Sequence, residues 1–350
     1  MNTTHPLVDV CVVGGGPVGL FAAFYAGMRG LSVRILERMP RLGGQCGSLY
    51  PDKLIYDIPG LPSVSGGDLA RNLIQQTSQF EPHVVLGEEV SQIKILGDGG
   101  PFELVGAAGD VYPCRRVILA MGLGTFSPRR LPESVAEDNH ECRGLYYFVK
   151  DLEVLRDRRV LVVGGGDSAV DWAVEAAERN ARVTLAHRSD IFQAHEANLA
   201  RLLHAGVDVL VFKELVAIKG NQHVEQACLK DLRDGTEVVV DIDAAVVAIG
   251  MLADLGLLQR TGLTMDGNGL AVDQHMESNI KGIFGAGDLV RYQGKMRLIA
   301  AGTAEAAQAA NSAARGITPE RTCLQNIPRH RYLGRKLTDL PNCNETKGRS

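Results

Sequence analysis

The chain has no C-x-x-C pair, and its 7 cysteines, at positions 11, 46, 114, 142, 228, 323 and 343, are odd in number and scattered. That spacing excludes an adjacent dithiol centre and argues against a disulfide framework; it fits free thiols in a reducing compartment. Net charge is also scarce. A formal charge of -4 sets up no global field that would hold nucleic acid or an anionic membrane, so no nucleic-acid partner is expected and any electrostatic docking must be local. Long apolar runs are missing too: the richest, residues 10–28, is broken by three consecutive glycines, and no basic segment precedes it. Neither a signal peptide nor a membrane span is expected, and the chain reads as cytoplasmic. His5, His140 and His195 do not stand at metal-ligand spacing, so no metal is expected. What remains is an ordinary globular composition, 45% hydrophobic and 22% charged, in 350 residues, a length that suits two domains better than one.

What is present is one turn spelled twice. VCVVGGGPVGLFAA, Val10 to Ala23, returns as VLVVGGGDSAVDWA, Val160 to Ala173. In the first copy the β-branched run Val8 to Val13 predicts a strand buried on both faces. Gly14, Gly16 and Gly19 follow at G-x-G-x-x-G spacing: a tight turn, a close backbone approach to a pyrophosphate, and tight helix–strand packing. Leu20 to Gly30 reads as the helix whose N-terminal amides face that anion. A second strand, Ser32 to Leu36, ends at Glu37, where a carboxylate is placed to accept hydrogen bonds from an adenosine ribose.

The second copy repeats the plan and changes its end. Strand Arg159 to Val163 leads into Gly164, Gly166 and Ala169, and a helix is predicted from Ser168 to about Glu178. The next strand, Val183 to Ala186, runs into His187 and Arg188 instead of an acid. A carboxylate there would repel a phosphate on the ribose 2′ oxygen, whereas an arginine forms a charge-assisted fork with it. The first unit therefore suits an unphosphorylated adenosine such as that of FAD, and the second leans towards NADP. Two turns imply two dinucleotides, one to receive hydride and one to deliver it.

ILAMG, Ile118 to Gly122, and VVAIG, Val246 to Gly250, are apolar strands that each close on a glycine and bracket the second unit. They read as crossings between domains. The expected fold is α/β, with two Rossmann-like three-layer dinucleotide-binding domains: a discontinuous first domain, 1–124 with 251–350, and a second at 125–250. The returning half contains GIFGAGDL, a strand entering a turn at Asp288, and an alanine-rich helix from Thr303 to Ala314.

Through GGGPVG, GGGDSA, the two crossings and GIFGAGDL the sequence resembles the two-dinucleotide flavoproteins related to thioredoxin reductase. Their disulfide-reducing members open the second domain with a C-x-x-C pair after a Gly-x-x-Tyr segment. Here the matching segment is GLYYFVKD, and Phe148 and Asp151 stand at the two cysteine positions; neither exchanges disulfides. GGQCGSLYPDKLIYDIPG and GKMRLIAAGTAEA resemble more closely the ferredoxin/flavodoxin NADP reductases built on this scaffold. That resemblance implies a cytoplasmic homodimer with FAD and NADPH as cofactors and ferredoxin or flavodoxin as electron-transfer partner. It also implies that Glu37 binds the FAD ribose, Gln45 the flavin region and Val90 the adenine through its backbone. Tyr50 would stack on the isoalloxazine, Phe126 line the flavin site, and Asp288 bond the ribitol or pyrophosphate. Gly164, Gly166, Ser168, His187 and Arg188 would hold the nicotinamide dinucleotide. A plainer reading stands beside these: Tyr50 before Pro51 as a loop tyrosine packed on its own domain, and Cys46 as a buried inert thiol rather than a redox group.

The sequence departs from these relatives in two places. Where strong 2′-phosphate binders carry further arginines, HRSDIFQAHE has Ser189 and Gln193, so the expected preference is NADPH with modest discrimination and appreciable use of NADH. The C-terminal stretch that covers the other flavin face is absent; His330 and Tyr332 are candidate replacements, against a solvated tail. Arg329, Arg331, Arg335 and Lys336 form a candidate docking patch for an acidic carrier, against ordinary solvated surface. Two rival functions remain open at this level: reduction of another acceptor (a quinone, ferric chelate or pathway-specific partner), and a slow-turnover flavin redox sensor.

Overall fold

The computed structural model describes residues 4–124, 127–136, 143–149, 151–252 and 254–318. Phe126, His140, and the tail residues Arg329, His330, Arg331, Tyr332, Arg335 and Lys336 lie outside them. The chain divides into two compact units, one made of residues 1–124 and 254–350, the other of residues 125–253.

The first unit is built on a 7-stranded sheet. β1, Val8–Val13, lies between β2, Val33–Glu37, and the strand Val111–Leu119, parallel to both; β2 also pairs in parallel with His83–Leu86. The strand Val111–Leu119 serves two neighbours in turn. Its first half joins an antiparallel meander with Phe102–Gly106 and Val90–Ile95, and its last three residues pair in parallel with the returning strand Ile283–Gly285. The two halves of the discontinuous unit are thereby joined by backbone hydrogen bonds.

The alternation of β1 divides the core. Val10 and Val12 pack on the helix side, among Leu20, Ala22, Ala23 and Ala26 of α1, Pro17–Met28, and Ala306, Ala309 and Ala310 of the long helix Ile299–Ile317. Cys11 and Val13 face the opposite layer, with Phe102, Leu104, Tyr112, Leu257 and Leu258. That layer consists of the meander and the short helix Gly256–Thr261 rather than of long helices. α1 is apolar on nearly every side because it is enclosed between the sheet and the long helix. Each fully buried valine or leucine contributes about 1.5–3 kcal/mol, and β1 alone carries four valines.

The second unit repeats the scheme on a 5-stranded sheet, parallel throughout, in the order Leu145–Tyr146, Ala244–Val247, β3 (Arg159–Val163), β4 (Arg182–His187), Asp208–Val211. Val160 and Val162 face α2, Asp167–Ala177, through Val170, Ala173 and Val174. Leu161 and Val163 face a separate 3-stranded antiparallel sheet through Leu215, Ile218 and Leu229. No helix among the described residues is long and apolar enough to cross a membrane.

Both predicted helices of the repeated motif begin earlier than periodicity alone indicates, at Pro17 and Asp167. In each the glycine before it, Gly16 or Gly166, is an extended N-cap with no side chain to cap the helix, and Pro17 suits the first helical position because its missing N–H would have no intrahelical partner.

Candidate functional sites in the two units

In the first unit the glycine turn is determined by contact distances. Gly14 has φ of +106°, and a Cβ there would lie 2.5 Å from the Ala120 carbonyl oxygen. A Cβ on Gly19 would lie 1.9 Å from Gly14 O, which is why helix and strand can approach only with glycine at that point. Gly16 differs: it has an ordinary extended φ of -75°, and a Cβ would find nothing nearer than Gly44 Cα at 3.7 Å. The open side of Gly16, at the uncapped start of α1, is the cradle a pyrophosphate needs.

Glu37 is buried at 7% exposure, and the structure commits its carboxylate further than the sequence indicates. Oε2 accepts from the Gly15 N–H at 2.5 Å and Oε1 from the Met39 N–H at 2.7 Å. The acid therefore braces the turn, and each oxygen retains a lone pair able to accept a further hydrogen bond. Glu88 N–H donates to the Glu37 carbonyl at 2.9 Å, which brings the start of the Val90 strand to the same corner. Val90 itself is buried, so its side chain belongs to the core.

Gln45 lies in the short helix Gly44–Ser48, with its amide nitrogen 3.8 Å from where a Gly122 Cβ would be. Tyr50 is half-buried; the Cys46 thiol donates to its Oη at 3.5 Å, and Lys53 Nζ sits 5.9 Å from its ring centroid. Burial pushes both groups up: the Tyr50 phenol, with Cys46 as the next cause, and the Cys46 thiol, partly offset by its bond to Tyr50. Asp288 stands in the turn Gly287–Leu289, within electrostatic reach of Tyr50. Glu37, Gln45 with Tyr50, and Asp288 are thus brought around one glycine turn from three stretches of sequence. The Cys46–Tyr50 contact has a sequence signal, a spacing of four residues, but that spacing carries no information about a bond outside a regular helix.

Cys11, Cys46 and Cys114 are covered by the core, and burial pushes the Cys46 and Cys114 thiols up, so all three are expected to resist iodoacetamide in the native protein at about pH 8 and to react fully once it is denatured. Peptide mapping by mass spectrometry checks this. Rapid native labelling of Cys46 would show that it is open to solvent.

In the second unit Gly164 has φ of +151°, and a Cβ would meet Ala248 O at 2.4 Å and Ala169 Cβ at 2.8 Å. Gly166, like Gly16, is open: a Cβ would meet nothing within 4 Å. The residues after β4 are folded back onto this turn. Gln193 N–H donates to Gly165 O at 2.7 Å, and Asp167 Oδ1 accepts from His195 N–H at 2.9 Å and Asn198 Nδ2 at 2.8 Å. His187 is a brace: its ring lies about where a Gly165 side chain would go, the nearest atom at 2.2 Å, and its Nε2 is 3.1 Å from Ile191 O. Ser189 Oγ accepts from the Ile191 N–H at 3.0 Å, so its hydroxyl is engaged within the loop. Arg188 is exposed and has no hydrogen bond or ion pair among the described residues. Ser168 is exposed in the first turn of α2.

A family model of the pyridine nucleotide-disulphide oxidoreductases matches residues 8–313. The chain belongs to that family. Among its relatives, a protein named ferredoxin–NADP reductase 2 from Listeria innocua is 40% identical over 321 residues, covering 91% of this chain and 96% of its own length. A ferredoxin–NADP reductase from Frankia alni is 42% identical over 308 residues, covering 88% and 94%. Among solved structures, thioredoxin reductase of Lactococcus lactis is similar with a TM-score of 0.79 at 26% identity, over 89% of this chain and 99% of that one. Within this pyridine nucleotide-disulphide oxidoreductase the two positions matched to a cysteine pair do other work. Asp151 caps the turn Leu152–Leu155 by accepting from the Glu153 N–H at 3.0 Å, and Phe148 packs against the Leu161 side of the core. No group of side chains suited to a metal occurs among the described residues.

Proposed function

We propose that this protein is an NADPH-dependent flavoprotein of the ferredoxin–NADP reductase type, with FAD on the first glycine turn, NADPH on the second, and ferredoxin or flavodoxin as electron acceptor. The observation that carries the reading is the difference between two otherwise matching units. The first ends in a buried acid that braces its own turn, the second in an exposed arginine with no hydrogen bond or ion pair among the described residues. Relatives at about 40% identity carry the same activity in their names.

FAD held on the first turn would supply two-electron acceptance from a nicotinamide and single-electron release, the chemistry an iron–sulfur carrier requires. The chain's own part is to bind, orient and exclude water. The open faces of Gly16 and Gly166 admit a pyrophosphate against uncapped helix ends. Glu37 presents its remaining lone pairs to a ribose diol, Arg188 its guanidinium to a 2′-phosphate, and Tyr50 a neutral ring whose phenol burial keeps protonated. With Ser189 committed to its own loop, Arg188 carries the phosphate preference, so NADH is used as well.

Anaerobic stopped flow is the direct test. The protein is expected to be isolated yellow and to be bleached by NADPH on the scale of a turnover near 10 s⁻¹, then reoxidised by added ferredoxin or flavodoxin. A colourless protein that cannot be reconstituted with FAD would sink the reading. Fast bleaching followed by reoxidation with quinone or ferric chelate alone would move it to another acceptor.

A further inference from the structure

A buried ion pair lies between the Asp288 turn and the long helix Ile299–Ile317, and nothing in the reading above uses it. The Lys295 and Glu305 side chains are each 5% exposed, and Lys295 Nζ donates to both carboxylate oxygens, at 2.6 and 2.7 Å. Two more donors converge on the same carboxylate. Tyr292 O–H donates to Oε1 at 2.6 Å and the Gly287 N–H to Oε2 at 2.8 Å. Such a cluster is a poor device for stability alone, because desolvation opposes the Coulomb attraction and apolar residues of the same volume often hold a fold as well. The bond to Gly287 indicates another use.

Gly287 directly precedes Asp288 and opens its turn with φ of +80°. A Cβ on Gly287 would lie 3.1 Å from the Val18 side chain; one on Gly302 would lie 2.6 Å from that same side chain and 3.3 Å from Gly287 Cα. Val18 in the first turn of α1, Gly287 in the Asp288 turn and Gly302 in the long helix therefore meet at one point. Three strictly spaced backbones converge where the first glycine cradle begins, and Glu305, one turn further along the long helix, holds the middle one by its N–H.

We propose that Glu305, held in place by Lys295 and Tyr292, is a positioning residue for FAD, fixing the Gly287–Asp288 turn against the start of α1. The inference rests on the reading of the first unit as the flavin site. Its test uses a double replacement that leaves no orphan charge, Lys295→Met with Glu305→Leu, in the full chain freed of flavin and titrated with FAD by flavin fluorescence. Expected is a Kd raised about tenfold or more, a blurred flavin absorption band, and apoprotein unfolding at a temperature no lower than that of the parent. Lys295→Met with Glu305→Gln returns an acceptor for the Gly287 N–H and is expected to recover most of the affinity. A leucine variant that folds and binds FAD within about twofold of the parent overturns the inference. So does a fall in affinity matched by a fall in apoprotein stability and not rescued by glutamine, which would make the pair a general support. Should the leucine variant not fold, Tyr292→Phe carries the test: faster FAD dissociation supports the clamp and unchanged dissociation overturns it. A parent protein that takes up no FAD at all overturns the flavin reading, and this inference with it.

Discussion

Gly16→Ala is expected to leave the protein folded and thermally stable but to weaken FAD binding about a hundredfold, whereas Gly19→Ala is expected to lose both. The difference follows from what a methyl group meets. At Gly19 it would sit 1.9 Å from Gly14 O, well inside contact distance, so α1 must move away from β1 and the core between them opens. At Gly16 the backbone is in an ordinary conformation and the methyl group finds only Gly44 Cα, at 3.7 Å. It would occupy the space in which a pyrophosphate lies against the first amides of the helix, and loss of that close approach at a charged group costs on the order of 2–3 kcal/mol. Thermal unfolding of the apoproteins and FAD titration separate the two effects. Parent-like affinity in Gly16→Ala would mean that the dinucleotide does not cross that glycine. The same substitution at Gly166, which has nothing within 4 Å, should spare FAD and weaken NADPH.

Arg188→Ala is expected to raise KM for NADPH by about tenfold to a hundredfold, with kcat and the constants for NADH nearly unchanged. A hydrogen bond between charged groups contributes about 1.5–3 kcal/mol, and the loss should appear as uniform binding energy rather than in the chemical step. In the unaltered protein the kcat/KM ratio of NADPH to NADH should stay well short of thousands. Ser189 and Gln193 cannot supply the missing charge, and the structure shows both tied back: the Ser189 hydroxyl to the Ile191 N–H, the Gln193 N–H to Gly165 O. Steady-state kinetics with both nucleotides checks the pair of statements. A large effect of Arg188→Ala on NADH would show that the arginine acts on the common part of the nucleotide.

The two glycine turns illustrate why some features are legible in the sequence and others are not. Val8 to Val13 and Arg159 to Val163 are strands with the predicted bounds because short valine-rich runs bounded by glycine suit little else. The glycine spacing is equally local: each glycine answers a contact within the same strand–turn–helix, so its sequence position carries its reason. Periodicity places the helix starts late because the deciding residues, Gly16 with Pro17 and Gly166 with Asp167, do not belong to the repeating apolar face.

Long-range polar contacts had no such signal. Glu37 was expected to serve a ribose, and it also accepts two backbone N–H groups, one of them from the turn 22 residues earlier. The sequence places His187 at the nucleotide, and its ring also lies beside Gly165, with Nε2 3.1 Å from Ile191 O in the loop that follows Arg188. Neither partner is implied by residue type.

From the order of residues alone came the α/β class, the paired glycine turns, the opposite charge at the ends of their second strands and the absence of a dithiol, since each depends on neighbours in the chain. Folding alone decided which distant groups share a point. Gln45, Tyr50 and Asp288 gather near one turn, and Lys295 meets Glu305, because packing the long helix on α1 and pairing Ile283–Gly285 with Val111–Leu119 closes loops whose ends carry no mark of each other. A hydrogen bond across such a loop is specified by the geometry of the whole core, and that geometry is not written at either end.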